Sequence, residues 1–124
     1  MRHLVDHRKL GRTSEHRASL LRNLVVSLIE HGRIQTSVPK AKEARRLAER
    51  CITLAKKAHL ATEPAAKLHY QRQAMQKLHN VGAVQKLIAE IGPKYMERSG
   101  GYTRIYKAGY RLGDRSPIAL FELV

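Results

Sequence analysis

The segment from residue 39 to residue 58 constrains the fold most, because apolar and cationic side chains recur along it with the spacing of an α-helix. At about 100° per residue, the cations fall within an arc of about 140° on one side of such a helix. That side consists of Lys42, Arg45, Arg46, Arg50, Lys56 and Lys57, together with Glu49 and Thr53. The opposite side consists of Ala44, Leu47, Ala48, Cys51, Leu54, Ala55 and Ala58. The sequence therefore predicts a helix with a buried apolar side and a cationic face, and Pro39 suits its first turn.

Glycine and proline residues divide the rest of the chain into further elements. Ser14 is the predicted N-cap of a helix over 15–31, which Gly32 ends, and residues 33–38 alternate as a short strand does. The later predicted elements are helices over 65–79 and 83–91, the second stopped by Gly92 and Pro93, and strands over 102–112 and 118–124 joined by a turn at 113–117. The predicted fold is α+β, a two-layer domain of about four helices packed on a small sheet of about three strands, in the order α-β-α-α-α-β-β. Residues 1–13 are predicted to form a basic arm and residues 14–124 a single domain.

The cations of the chain are gathered into three blocks. There are 24 Lys and Arg residues against 10 Asp and Glu residues, which gives a net charge of +14. Residues 1–22 hold six cations and two acids, residues 33–57 hold eight and two, and residues 94–115 hold six and two, so these blocks account for the whole excess. Like charges this close repel one another unless a polyanion neutralises them. We therefore expect a nucleic acid as the partner, with an anionic membrane surface as the alternative.

Several classes of protein are excluded by what the sequence lacks. A single cysteine excludes a disulfide framework, and no segment reaches the roughly 18 continuous apolar residues of a membrane span. Residues 1–7 lack the apolar region of a secretory signal, so the expected compartment is the cytoplasm. No P-loop, catalytic triad or carboxylate pair is apparent, so no catalysis, cofactor or small-molecule substrate is predicted.

The histidines and the cysteine of the chain do not indicate a metal site or a nucleophile. His3, His7 and His16 have no cysteine or carboxylate cluster to complete a metal site, so no metal is predicted. Cys51 lies in the middle of the apolar side of its helix and is interpreted as a small core residue rather than a nucleophile.

The arm and one loop supply candidate RNA contacts besides the cationic helix. Arginine, lysine, histidine and glycine are interleaved along the arm, a composition that stays flexible alone and can follow a nucleic-acid groove on binding. Gly100 and Gly101 would let backbone amides approach a phosphate closely, and Tyr102 could stack on a base or ribose. The alternative for this loop is a Gly-Gly turn with a packed tyrosine.

Several motifs, spread in order over nearly the whole chain, match those of one known family. They are Met1-Arg2-His3, Leu10-Gly11-Arg12-Thr13-Ser14 with His16-Arg17 and Arg22-Asn23, residues 34–43, Glu49 with residues 52–56, residues 100–105, and Gly113-Asp114 with Pro117. In these motifs the chain resembles the bacterial large-subunit ribosomal protein L-seventeen family. Three features depart from the family pattern: residues 4–7 interrupt its denser basic start, Cys51 replaces a common aliphatic residue, and residues 59–80 resemble the family least.

The resemblance implies a non-catalytic structural protein with a two-layer α+β fold that binds large-subunit ribosomal RNA. It would lie near the polypeptide exit side, among other large-subunit ribosomal proteins. Phosphate neutralisation and RNA shape, rather than base identity, would carry the recognition. The predicted RNA-binding residues are Arg2, His3, Arg8, Lys9, Arg12, His16, Arg17, Arg22, Lys40, Lys42, Arg45, Arg46, Arg50, Tyr102, Arg104 and Lys107.

Two other functions share this basic composition. A DNA-compacting architectural protein would normally have a groove-inserting element or a dimer-forming surface, and the sequence indicates neither. An RNA-processing enzyme that uses histidine and lysine side chains is the other alternative.

Overall fold

The computed structural model describes His3 and residues 6–124, and it confirms the predicted α+β fold and element order. The elements are α1 (Ser14–His31), β1 (Arg33–Ser37), α2 (Val38–Leu60), α3 (Pro64–Leu78), α4 (Val81–Lys86), a π-helical turn (Leu87–Ile91), α5 (Gly92–Lys94), β2 (Thr103–Tyr110) and β3 (Pro117–Leu123). None of the helices in the described part of the chain is both long and apolar enough to cross a membrane.

The three strands form one antiparallel sheet in which β3 is the central strand, in the order β1-β3-β2. Phe121 of β3 is paired with Ile34 of β1 and with Ile105 of β2, and it is fully buried. Because paired residues point to the same face of a sheet, this row forms the apolar face on which the helices pack. Helices α1 and α2 contact the sheet, and α3 packs mainly against α2.

Helix α2 is the centre of the fold, and its predicted apolar side is buried. Ala44, Ala48 and Ala55 are at most 2% exposed, and these small side chains let neighbouring elements approach the α2 backbone closely. Cys51 is fully buried among them, and burial raises the pKa of its thiol to about 12. A buried thiol that keeps its proton is a poor nucleophile, which confirms the interpretation of Cys51 as a core residue.

The ends of two predicted elements are corrected by the structure. The N-cap of α1 is Thr13 rather than Ser14, because Thr13 has extended backbone and its Oγ1 accepts a hydrogen bond from the N–H of His16 at 3.4 Å. Helix α2 begins at Val38, one residue before Pro39, and continues to Leu60 instead of ending near Ala58.

Gly92 and Pro93 do not stop the fourth helix as predicted. The π-helical turn before them widens the backbone, and the N–H of Gly92 donates to the carbonyl of Leu87. Pro93 then enters at the start of α5, where its missing N–H costs no helical hydrogen bond. The widened turn therefore carries the chain through a sequence that would otherwise break a regular α-helix.

Candidate nucleic-acid interface

Each of the three basic blocks contributes to one groove, which lies between α2 and β2 and has a volume of about 630 Å³. The groove is bounded by the buried end of β2 and the first half of α2. Its cations are Arg8 from the arm, Lys42, Arg45 and Arg46 from α2, and Arg104 and Lys107 from β2. Glu43 is the acidic residue in the lining. Residues almost 100 positions apart thus form a continuous cationic surface, which we call the α2–β2 groove.

The arm reaches this groove because two ion pairs hold it on α2. The Arg8 guanidinium donates to Glu43 Oε1 at 2.8 Å, and the Glu43 side chain is only 5% exposed. The Arg46 guanidinium donates hydrogen bonds to both carboxylate oxygens of Asp6 and to the backbone carbonyl of Asp6, at 2.9–3.3 Å. Residues 6–8 therefore lie across α2.

Some cations of the groove have no counter-charge among the described residues. Lys42, Arg45 and Lys107 are exposed, and they make no ion pair or side-chain hydrogen bond with the residues that the structure describes. Arg104 is different, since it donates to the buried carboxylate of Glu122 at 2.6 Å. The unpaired cations can bind external phosphates most favourably, because no ion pair within the protein has to be broken first.

Glu122 lies between two arginines on the sheet. Arg33 of β1 and Arg104 of β2 are both paired with it in the strand register, and they donate to its two oxygens at 2.7 and 2.6 Å. The hydrogen bond from Arg33, followed by that from Arg104, lowers the pKa of the Glu122 carboxyl. Arg33, Glu122 and Arg104 together carry one net positive charge, and the ion pair with Glu122 fixes the position of Arg104 beside the groove.

A second groove lies on the other side of the arm, among the arm, α1, α2 and α3, with a volume of about 420 Å³. Its cations are Arg17, Arg22, Arg46, Arg50 and Lys77. We call it the α1–α2 groove. It shares Arg46 and Glu43 with the α2–β2 groove, so the two form one surface that residues 6–8 cross. The Nε atom of Arg22 is buried there without a hydrogen-bond partner among the described residues.

Lys77 is the residue of this surface that the sequence analysis missed. It is an isolated cation on α3 and belongs to none of the three basic blocks. It joins the surface because α3 folds back along α2. No local signal in the sequence indicated this contact.

The Gly100–Tyr102 loop, for which an RNA contact is predicted, packs its tyrosine against other parts of the fold. The Tyr102 side chain is buried, its ring centroid lies 5.4 Å from that of Tyr95, and its hydroxyl accepts a hydrogen bond from Lys56 at 2.8 Å. The backbone N–H groups of Tyr102 and Thr103 donate to the Glu49 carboxylate at 3.2 and 3.1 Å. The structure thus shows the packed tyrosine of the alternative, and an RNA contact by the exposed Gly100 and Gly101 stays a prediction.

Comparison with known proteins gives the family. The model of the family described as ribosomal protein L17 matches residues 20–124. The chain belongs to the ribosomal protein L17 family. Large ribosomal subunit protein bL17 of Syntrophobacter fumaroxidans is 50% identical over 124 residues, which cover all of this chain and 77% of that protein. The protein of the same name from Maricaulis maris is 48% identical over 124 residues, which cover all of this chain and 83% of that protein.

Membership of the L17 family confirms the predicted resemblance, the predicted absence of enzymatic function and the predicted location on the cytoplasmic ribosome. The family model begins inside α1 and so includes α2, β2 and β3, while both bL17 relatives align along the arm as well. Both grooves thus lie in a part of the chain that the relatives share.

The remaining predicted RNA-binding residues of this L17-family chain are dispersed. His3, Lys9 and His16 are exposed, whereas Arg12 is partly buried and donates to the carbonyl of Leu10 at 2.5 Å. Lys40 lines a separate cavity of about 310 Å³ with Arg111 and Ser116, near the start of α2. Arg2 lies outside the described residues.

Proposed function

We propose that this L17-family protein is a structural constituent of the large ribosomal subunit and binds large-subunit ribosomal RNA through the α2–β2 and α1–α2 grooves. The observation that carries the proposal is the meeting of all three basic blocks in the α2–β2 groove. Compared with the interface expected from sequence, Arg104 and Lys107 of β2 are kept, the Tyr102 ring is packed inside the fold, and Lys77 is added from α3.

Binding in these grooves is electrostatic and follows the RNA backbone. Lys42, Arg45 and Lys107 can exchange their counter-ions for phosphates directly. The charges of Arg8 and Arg46 are already partly neutralised by the ion pairs with Glu43 and Asp6. Each phosphate neutralised releases a counter-ion, so affinity falls steeply as salt rises, by roughly 10³–10⁵ between 50 and 200 mM for six to ten contacts on duplex DNA. We expect a response of this order for folded ribosomal RNA.

The other residues proposed to contact RNA belong to the arm and the start of α1. They are Arg2, His3, Lys9, Arg12 and His16. The basic arm, residues 1–13, would follow the RNA that occupies the two grooves, and residues 14–124 would form the body. Neighbouring large-subunit ribosomal proteins near the polypeptide exit side are the proposed protein partners, in line with the family.

Binding of purified large-subunit ribosomal RNA by a charge-reversed variant tests the proposal. Lys42→Glu/Arg45→Glu changes two exposed residues of the α2–β2 groove, and Lys67→Glu/Arg72→Glu makes the same charge change on the exposed side of α3. We expect the groove variant to lose roughly tenfold or more in affinity at low salt, with a shallower salt dependence, and the α3 control to lose much less. Both variants should unfold at the wild-type temperature.

Two results would overturn the proposal. Equal losses for the two variants would mean that only net charge matters and that the grooves are not the site. Equal competition by duplex DNA and by folded ribosomal RNA would favour the DNA-compacting alternative. Incorporation of each variant into large subunits provides an independent measurement, and the groove variant should be the one that is depleted.

A further inference from the structure

The far end of the β2–β3 hairpin exposes large apolar side chains that the fold does not use. Every residue from 106 to 115 is exposed, and we call this segment the hairpin end. Tyr106, Tyr110 and Leu112 are 48%, 69% and 97% exposed. In the strand register Tyr106 is paired with Leu120 and Tyr110 with Pro117, so the two rings lie on opposite faces of the hairpin, and Tyr110 shares its face with Lys107. An exposed tyrosine followed closely by an almost fully exposed leucine, on a protein with only six aromatic residues, marks a binding surface.

The hairpin end is an ordered turn rather than a loose loop. The N–H of Arg111 donates to the carbonyl of Ser116 at 2.9 Å, and the N–H of Arg115 donates to the carbonyl of Arg111 at 2.9 Å. Asp114 accepts hydrogen bonds from the Arg111 guanidinium and from the N–H of Ser116 at 3.1 Å. The exposed side chains are therefore presented on a preorganised backbone, which reduces the entropy lost on binding.

The charge around these side chains indicates an anionic partner. Lys107, Arg111 and Arg115 are interleaved with the exposed apolar residues, and Asp114, the acid of the segment, is already paired with Arg111. The Arg104 guanidinium lies 5.3 Å from the centre of the Tyr106 ring. Lys107 also lines the α2–β2 groove, so the hairpin end continues the cationic surface of that groove.

We propose that the hairpin end is a second RNA site, which binds unpaired nucleotides. Tyr110 stacks on an exposed base, Leu112 packs against that base, and Lys107 and Arg115 bind the adjoining phosphates. Bases within a duplex are already stacked on one another, so aromatic side chains bind best where the strand is single. The inference depends on the proposed function, and it moves the stacking role from the buried Tyr102 to the accessible Tyr110.

Two RNA probes and full-length protein test this inference. The probes are a single-stranded RNA of about 12 nucleotides, within the usual site sizes of roughly 4–16 nucleotides, and a duplex of the same sequence. Tyr110→Ala/Leu112→Ala should weaken binding of the single strand by roughly five- to a hundredfold and leave duplex binding unchanged. Tyr110→Phe keeps the ring and should bind as the wild type does. Tyr106→Ala, on the opposite face of the hairpin, is the matched control and should bind the single strand almost as the wild type does.

The salt dependence separates stacking from charge. Tyr110→Ala/Leu112→Ala removes no charge, so the slope of log affinity against log salt should stay the same, whereas Lys107→Ala should lower it by about 0.7. If the double variant binds the single strand as the wild type does while Lys42→Glu/Arg45→Glu does not, the inference is wrong and the proposed function stands. Loss of subunit incorporation with unchanged RNA binding would assign the hairpin end to a protein partner and also overturn the inference. If Lys42→Glu/Arg45→Glu binds both RNA probes as tightly as the wild type does, the proposed function itself is contradicted.

Discussion

The Arg8 guanidinium donates to the buried carboxylate of Glu43 at 2.8 Å, joining the arm to α2 across 35 residues of sequence. The pair has two consequences. It satisfies a charge that would otherwise be buried alone, and it places the arm over the cationic surface instead of leaving it in solvent. Glu43 thus holds the arm on α2, besides contributing a negative charge to the α2–β2 groove.

Arg8→Ala should reduce the free energy of unfolding by about 1–2 kcal/mol, because Glu43 loses its partner while Arg8 itself is half exposed. Lys9→Ala removes the neighbouring exposed cation and should have almost no effect. Urea denaturation measures both. In a Glu43→Gln background the effect of Arg8→Ala should shrink, and equal effects in the two backgrounds would contradict the pairing.

Glu49→Ala should destabilise the protein by about 2 kcal/mol, because one carboxylate accepts hydrogen bonds from Tyr102 N–H, Thr103 N–H and the Thr103 hydroxyl. Glu97→Ala, at an exposed acid, is the matched control. Amide hydrogen exchange gives the local readout. The Tyr102 and Thr103 amides should exchange faster in the Glu49 variant, and unchanged protection there would show that the carboxylate does not hold the loop.

Gly92→Ala should destabilise the protein by about 1–3 kcal/mol, because a Cβ at this position would lie 3.0 Å from the Ala55 carbonyl oxygen and 3.1 Å from its carbon atom. Gly82→Ala is the control, since its Cβ would meet only Asn80 Oδ1 at an ordinary 3.5 Å. Alanine there should be neutral or should stabilise by about 0.5–1 kcal/mol. Chemical denaturation should therefore show a loss of stability for Gly92→Ala and none for Gly82→Ala, and a Gly92→Ala protein as stable as the wild type would rule out the close contact.

Stability should fall in acid partly through Glu122. Arg33 and Arg104 lower the pKa of this carboxyl in the folded state from its ordinary value of 4.5, so the folded protein keeps it ionised more strongly than the unfolded chain does. The resulting stability is complete above the ordinary value and is lost as pH falls through the folded-state pKa. Thermal unfolding from neutral to acidic pH should show a smaller decline for Glu122→Gln than for a Glu97→Gln control, and parallel curves would contradict this assignment.

The predictions that held rest on local patterns. The buried side of α2 follows from a period of 3.6 residues, and the helix that begins near Pro39 follows from proline's fixed backbone angle. The choice between a buried and an exposed Tyr102 had no such pattern to decide it. Glycines before a tyrosine suit both a phosphate-binding loop and a packed turn, and Glu49 and Lys56, which decide between them, lie about 50 residues away.

The sequence by itself determined the order of elements, the amphipathic α2 and the three basic blocks, since each depends on residues within one or two turns of one another. Only the tertiary structure decided that Arg8, Arg45 and Lys107 share a groove, that Lys77 joins the surface, and that Tyr110 rather than Tyr102 is accessible. Those outcomes depend on which elements pack together, because burial and proximity between distant residues are set by the packing of whole helices and strands.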